Sequence, residues 1–286
     1  MPKQPFNLMR PRERTTSVIF ASPHSGRDYP WGFLRRSILD ERTIRTSEDA
    51  FVDILFEDVP QYGAPLLSAT APRAYLDLNR SAEELDAALI DGVGKMVHNP
   101  RVASGLGVVP RVVASGRAIY RGKMTLKEAH DRIATVWRPY HDMLQTLLNE
   151  NLNDFGEAIL VDCHSMPHEA IATLHQRGMP ITDVVLGDRF GAAASSAIVD
   201  RIEAAFLAAG LKVTRNAPFA GAYVTQHYGR PSRKQHAVQI EIDRSLYMNE
   251  QLIRPNGNFM AFRKLISQIA SEISEIGRTQ QSLAAE

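Results

Sequence analysis

The chain has 286 residues, with 33 Lys and Arg against 32 Asp and Glu, for a formal net charge of +1. That balance gives no basis for nucleic acid or an anionic membrane surface as a partner. A single cysteine excludes an internal disulfide and an all-thiolate metal site, so any metal must be held by His and carboxylates.

Met1 to Thr16 lacks the apolar stretch of a signal peptide, and no run approaches the roughly 20 apolar residues of a spanning helix. The expectation is a cytoplasmic protein whose partner is a small molecule. No repeat and no Pro-, Gly- or Ser-rich linker divides the chain, which predicts one domain over 1–286. Its core should span about 16–276, with a polar tail after about 277 that frays.

In chain order, strand-like runs fall at 17–22, 64–69, 74–78, 157–163, 183–187, 212–215 and 236–242. Helical periodicity falls at about 47–60, 125–149, 190–209 and 257–276. Within 125–149, Ile133, Val136, Trp137, Tyr140, Met143, Leu144 and Leu147 recur at helical period, and Pro139 should bend or divide that helix. The alternation predicts a three-layer α/β domain with a largely parallel sheet flanked by helices. Region 91–123, rich in Gly, Arg and small residues, reads as loops and short strands lining a site.

Two of the strands end in chemistry. Ser17 to Ala21 leads into Ser22-Pro23-His24-Ser25-Gly26, and Ala158 to Val161 leads into Asp162-Cys163-His164-Ser165. Apolar runs of this length read as strands buried on both faces, and open α/β sheets place ligands outside the carboxyl ends of such strands. Two histidines delivered to one sheet edge point to two ligands of one metal ion. His98, His130, His141 and His175 lie in loops or amphipathic helices and read as surface or half-buried residues. Strand alternation puts Asp162 on the face of His164, placed to accept a proton from the second imidazole nitrogen, and turns Cys163 away. A catalytic zinc commonly has three protein ligands, so a carboxylate is expected among Asp28, Glu48 and Asp49. Acids at 48 and 49 could equally cap a helix starting near Ser47.

Arg73 and Arg80 flank a run ending Asp77-Leu78-Asn79-Arg80 and could clamp carboxylates bidentately. Arg117 and Arg121, from the irregular region, are further candidates. Glu241 shares a strand face with Gln239 and Asp243 between Val238, Ile240 and Ile242. Burying it there is costly without a partner or a task, such as general base toward a metal-activated water.

Taken together, Ser22 to Gly26, Asp77 to Arg80, Asp162 to Ser165, Gly221 to Val224, Gln239 to Ile242 and Arg244 to Met248 resemble the N-formylglutamate amidohydrolase family, from about residue 16 to 265. That family is similar to the zinc carboxypeptidases and to deacylases of N-acyl aspartate and glutamate. The resemblance implies a single zinc-carboxypeptidase-like α/β domain with a central mixed sheet. It further implies one Zn²⁺ per chain and hydrolysis of N-formyl-L-glutamate to formate and L-glutamate. Carried over, His24 and His164 are ligands, with Asp49 fitting better than Glu48 as the carboxylate. Glu241 activates water, and Arg73, Asn79 and Arg80 hold the oxyanion and the substrate carboxylate. The carboxypeptidase glutamate three residues after the first histidine is absent, because position 27 is Arg.

Other readings are the same zinc chemistry on another N-acyl amino acid or a peptide stem, and a non-catalytic dicarboxylate-binding protein. A metal-free hydrolase using Ser25 or Ser165 is disfavoured, since neither sits in a Gly-x-Ser-x-Gly elbow.

Overall fold

The computed structural model describes residues 4–94, 99–114, 116–176 and 182–278. The expected polar tail beyond 278 and His98 lie outside them. The apolar runs become strands of one seven-stranded sheet. These are β1 Phe6–Met9, β2 Val18–Ser22, β3 Leu66–Ala69, β4 Ala158–Met166, β5 Val184–Gly187, β6 Val213–Arg215 and β7 Gln235–Asp243. Their order is β1-β3-β2-β4-β7-β5-β6. β3, β2, β4 and β7 run parallel. β1 pairs antiparallel with β3, and β5 antiparallel with β7, so the sheet is mixed. β1 is an edge strand that the sequence reading missed, since Phe6-Asn7-Leu8-Met9 carries no clean alternation.

Both faces are covered, as a chiefly parallel sheet requires. On one face Val18, Phe20, Val161, Cys163 and Ile240 pack against helices Ser196–Ala208 and Phe259–Ser274. On the other, Ile19, Leu160 and Ala237 pack against the long helical stretch that includes Tyr140, Leu144 and Leu147. That stretch runs as α-helix Leu126–Arg132, a π-turn Ile133–Trp137 and α-helix Arg138–Phe155. Pro139 therefore sits in the first turn after the π-turn, where its missing N–H is tolerated, and it does not end the helical run, which continues to Phe155.

Two predicted elements are corrected. Residues 74–78 are not a strand: the amides of Tyr75 and Leu76 bond Pro72 O in a turn, and the amide of Asn79 bonds Asp77 Oδ1. The helix expected over 47–60 is broken. Glu48 is extended, Phe51 takes a left-handed backbone (φ 68°), and only Val52–Leu55 is α-helical before a 3₁₀ turn at Val59–Tyr62. Asp49 thus precedes the helix instead of capping its first turn. No helix among the described residues is long and apolar enough to cross a membrane.

The site follows from the topology. β2 and β4 are parallel neighbours. The chain leaving β2 returns on one side as β3, while the chain leaving β4 returns beyond β7 as β5. Their carboxyl ends therefore flank a switch point, where the diverging connections leave a crevice. Along β4 and β7, the face that is apolar at Leu160 and Ala237 becomes polar at Asp162 and Gln239, then at His164 and Glu241.

Cys163 is fully buried in the apolar layer opposite His164. Cys163→Ser should therefore lower stability by about 1–3 kcal/mol, the cost of placing a hydroxyl in that layer. Metal content should be unchanged. Denaturant unfolding and metal analysis of the variant check both halves.

Candidate active site

His24 follows β2 in a tight turn, in which Ser22 Oγ donates to Ser25 Oγ at 2.9 Å. A Cβ on Gly26 would lie 2.1 Å from Ala71 O, so only glycine lets this turn press against the segment after β3. His24 O in turn accepts the amide of Asp49 at 3.0 Å, which delivers that carboxylate to the imidazoles.

His24, Asp49 and His164 form a buried cluster in which one donor atom from each lies within 4.8 Å of the others. Nδ1 of His164 is 2.9 Å and Nδ1 of His24 is 3.4 Å from Asp49 Oδ2. Nδ1 of His24 has no hydrogen-bond partner. Each ring's other nitrogen meets a carboxylate: His24 Nε2 lies 2.7 Å from Asp77 Oδ1, and His164 Nε2 lies 3.0 Å from Asp162 Oδ2. With a cation bound between the rings, those carboxylates would hold the ring protons on the outer nitrogens and free both Nδ1 lone pairs as ligands.

Asp162 was expected beside His164, but no role for Asp77 was foreseen. It becomes accessible to His24 only because 72–79 turns, with Arg73 Nε closing on Asp77 Oδ2 at 2.9 Å. Arg244 was also missed. Its Nη2 donates to Asp49 Oδ1 at 2.8 Å and its Nε to Ser165 Oγ at 3.2 Å. Its signals in the sequence were its place just past the polar end of the β7 run and its membership of the Arg244 to Met248 motif.

Glu48 is turned away. Its carboxylate accepts from Tyr29 Oη at 2.7 Å and from the Arg45 fork at 2.9 and 3.0 Å. Extended backbone at 48 puts neighbouring side chains on opposite sides. Asp28 is not part of the cluster.

Burial would raise the pKa of Asp49, but the two imidazoles beside it, His164 foremost, hold it well below the usual carboxylate range. Burial is likewise outweighed at Asp77 by the charges of Arg73, His24 and Arg80. His164 is held well above its usual value by Asp162, against the effect of burial. Glu241 stands apart: burial pushes it up to about 7, with His164 pulling it down and Asp49 pushing it up. Its Oε1 accepts from Gln239 Nε2 at 2.8 Å.

A metal fits these residues. Asp49, Asp77, Asp162 and Glu241 are all buried here, and only Asp49 and Asp77 form ion pairs with arginine among the described residues. The uncompensated negative charge and the orphaned Nδ1 of His24 are what a divalent cation with two imidazole ligands and one carboxylate ligand would satisfy.

The cluster opens into a cavity of about 450 Å³ lined by Arg73, Asn79, Arg80, Arg101, Glu241 and Arg244, among others. Asn79 Oδ1 accepts the Val224 amide at 2.8 Å, and Arg80 Nε donates to Leu106 O at 3.0 Å. Arg117 and Arg121 do not line it. Bridges Val112–Ala118 and Ser37–Tyr120 fold their segment back, leaving both exposed, and Arg117 Nη1 donates to Thr43 Oγ1. His141 also differs from expectation. It is buried, with Nε2 3.0 Å from Leu78 O and Nδ1 2.8 Å from Tyr228 Oη, and burial pushes its pKa down to about 3. A neutral imidazole thus braces the turn that carries Asp77 and Asn79.

The N-formylglutamate amidohydrolase family model matches residues 16–248. The chain belongs to the N-formylglutamate amidohydrolase family. The N-formylglutamate deformylase of Pseudomonas aeruginosa is 31% identical over 237 residues, 82% of this chain and 83% of that protein. The N-formylglutamate deformylase of Pseudomonas putida is 28% identical over 82% of both. The crystal structure of N-formylglutamate amidohydrolase from Ralstonia eutropha JMP134 superposes with a TM-score of 0.89 at 33% identity, covering 96% of this chain and 98% of that one. The fold and the family are thus shared over nearly the whole length.

Asp49→Ala should lose metal affinity, whereas Glu48→Ala should keep it. Asp77→Ala, which frees the outer nitrogen of His24, should weaken metal binding about 10–100-fold. Titration against a chromophoric chelator separates the three variants.

Proposed function

We propose that this chain hydrolyses N-formyl-L-glutamate to formate and L-glutamate, with Zn²⁺ held by His24, Asp49 and His164. The observation that carries this reading is the buried pair of Nδ1 atoms turned to one carboxylate, beside a glutamate whose pKa burial has raised. Membership of the family makes the chain an amide hydrolase. The arrangement of its residues matches that chemistry.

A divalent cation bound there would supply Lewis acidity and bring the pKa of water to about 7. Glu241, with Oε1 tied to Gln239, takes the water's proton on its free oxygen and later delivers it to the departing amine nitrogen. A carboxylate near pH 7 suits both roles, since it is protonated and deprotonated at little cost. Arg73, whose Nε is fixed by Asp77, offers its remaining N–H groups to the oxygen that becomes anionic. Asn79 and Arg80 line the same cavity and hold the substrate. The formyl carbon needs almost no acyl pocket, so recognition falls on the carboxylates.

Glu241→Gln is nearly isosteric but cannot accept a proton. It should fold and bind zinc, with kcat for formate release falling by about two orders of magnitude or more. Turnover near that of the unmodified protein would remove Glu241 from the reaction.

A free dicarboxylate substrate also predicts discrimination against a blocked α-carboxylate. N-formylglutamate should be hydrolysed with a kcat/KM at least about tenfold above that of its α-amide, because an unpaired desolvated cation is costly. Equal rates would favour a peptide stem as the natural substrate.

A further inference from the structure

The cationic residues lining the cavity are not equivalent. Arg244 is committed to Asp49 and Ser165. Arg73 is tied to Asp77, next to the metal cluster. The wall formed by Arg80, Arg101 and Leu106 is different. Arg80 is buried and held by backbone carbonyls, with Nε on Leu106 O and Nη1 on Asn79 O, and its nearest carboxylate, Glu84, stands off at 4.0 Å. Arg101 makes no side-chain hydrogen bond or ion pair with the described residues, though it lines the same cavity.

Like charges therefore face each other across this wall. Burial, Arg73 and Arg101 all disfavour the charged form of Arg80, while Asp77 and Glu84 favour it. The backbone carrying Arg101 is nonetheless well anchored. Asn99 Oδ1 accepts the amides of Arg101 and Val102 at 2.9 and 3.4 Å, and the Leu106 amide bonds Arg101 O at 2.8 Å. Asn99 Nδ2 is tied to Glu84 Oε2 at 3.3 Å. An anchored backbone presenting an uncompensated guanidinium beside a second, buried one is arranged for an anion that arrives from outside.

We propose that Arg101, together with Arg80, receives the side-chain carboxylate of the substrate and so determines the preference for an acidic N-acyl amino acid. The assignment rests on the amidohydrolase reading above and adds to it a specificity-determining residue. Arg117 and Arg121, both outside the cavity, have no part in it. Arg80 is fixed and buried, and supplies the base of the subsite. Arg101 is free, and closes on the carboxylate.

The test compares kcat/KM for N-formyl-L-glutamate and N-formyl-L-glutamine, which differ only in the charge of the distal group. Both are measured by formate release with the zinc-loaded protein and with Arg101→Gln and Arg101→Lys. The unmodified protein should prefer the glutamate compound. In Arg101→Gln that preference should fall about tenfold or more, chiefly through a higher KM for N-formylglutamate. Arg101→Lys should keep part of it, since charge without the planar fork retains attraction but loses bidentate geometry. An undiminished preference in Arg101→Gln, beside an active unmodified protein, would overturn the assignment alone. Absence of formate release from either compound by the unmodified zinc-loaded protein would overturn the amidohydrolase reading and this assignment with it.

Discussion

Everything at the carboxyl edge of the sheet depends on one buried carboxylate between two imidazoles. Asp49 is almost wholly buried, so its charge must be met chiefly by neighbours, and His24 and His164 meet it on one oxygen while Arg244 meets it on the other. Leaving such a charge unpaired would cost several kcal/mol. The backbone pays attention to this requirement at two points: the left-handed turn at Phe51 and the hydrogen bond from Asp49 N–H to His24 O. Neither is a feature of a regular helix, which is why the helix expected from residue 47 does not form.

The same logic extends outward by one layer. Each imidazole is held by a second carboxylate, and one of those, Asp77, is held by Arg73 and the Asn79 amide. Behind them His141 stays neutral because burial costs its charged form too much, and it fixes the Leu78 carbonyl as a simple hydrogen-bond donor. The network thus grades from ionic at its centre to neutral at its rim, where it joins the packing of Trp137, Tyr140 and Tyr228.

Much of this was legible in the sequence wherever a residue sat on a strand. Alternation alone separates Cys163 from Asp162 and His164, and places Glu241 with Gln239. The pairing of His164 opposite Glu241 was not read from the sequence and comes from the register of the two parallel strands. Residues carried by turns were not legible. The 74–78 run has strand-like composition, but its amides bond locally to Pro72 and Asp77, so Asp77 reaches His24 by a path no periodicity encodes. Arg101 sits in a one-turn helix, Pro100–Ala103, and Arg244 just past the end of β7, where no periodicity marks them, and Arg117 and Arg121 were plausible only as arginines in an irregular segment. The choice of Asp49 over Glu48 needed the family resemblance, because adjacent acids differ only in backbone direction.

The 99–114 segment hangs on Glu84 and Asp86 more than on the sheet. Val108 N bonds Glu84 O at 2.9 Å, Asn99 reaches the Glu84 carboxylate, and Arg111 Nε bonds Asp86 Oδ2 at 2.8 Å. The imidazoles and Glu241, by contrast, are tied to a ladder whose one-residue slip would turn every side chain to the wrong face. With Arg101 assigned to substrate selection as proposed, reactivity and that part of the selectivity rest on separate mechanical supports. Exchange of the 99–114 segment offers a route by which descendants of this scaffold could acquire new amino-acid preferences without relearning how to break an amide.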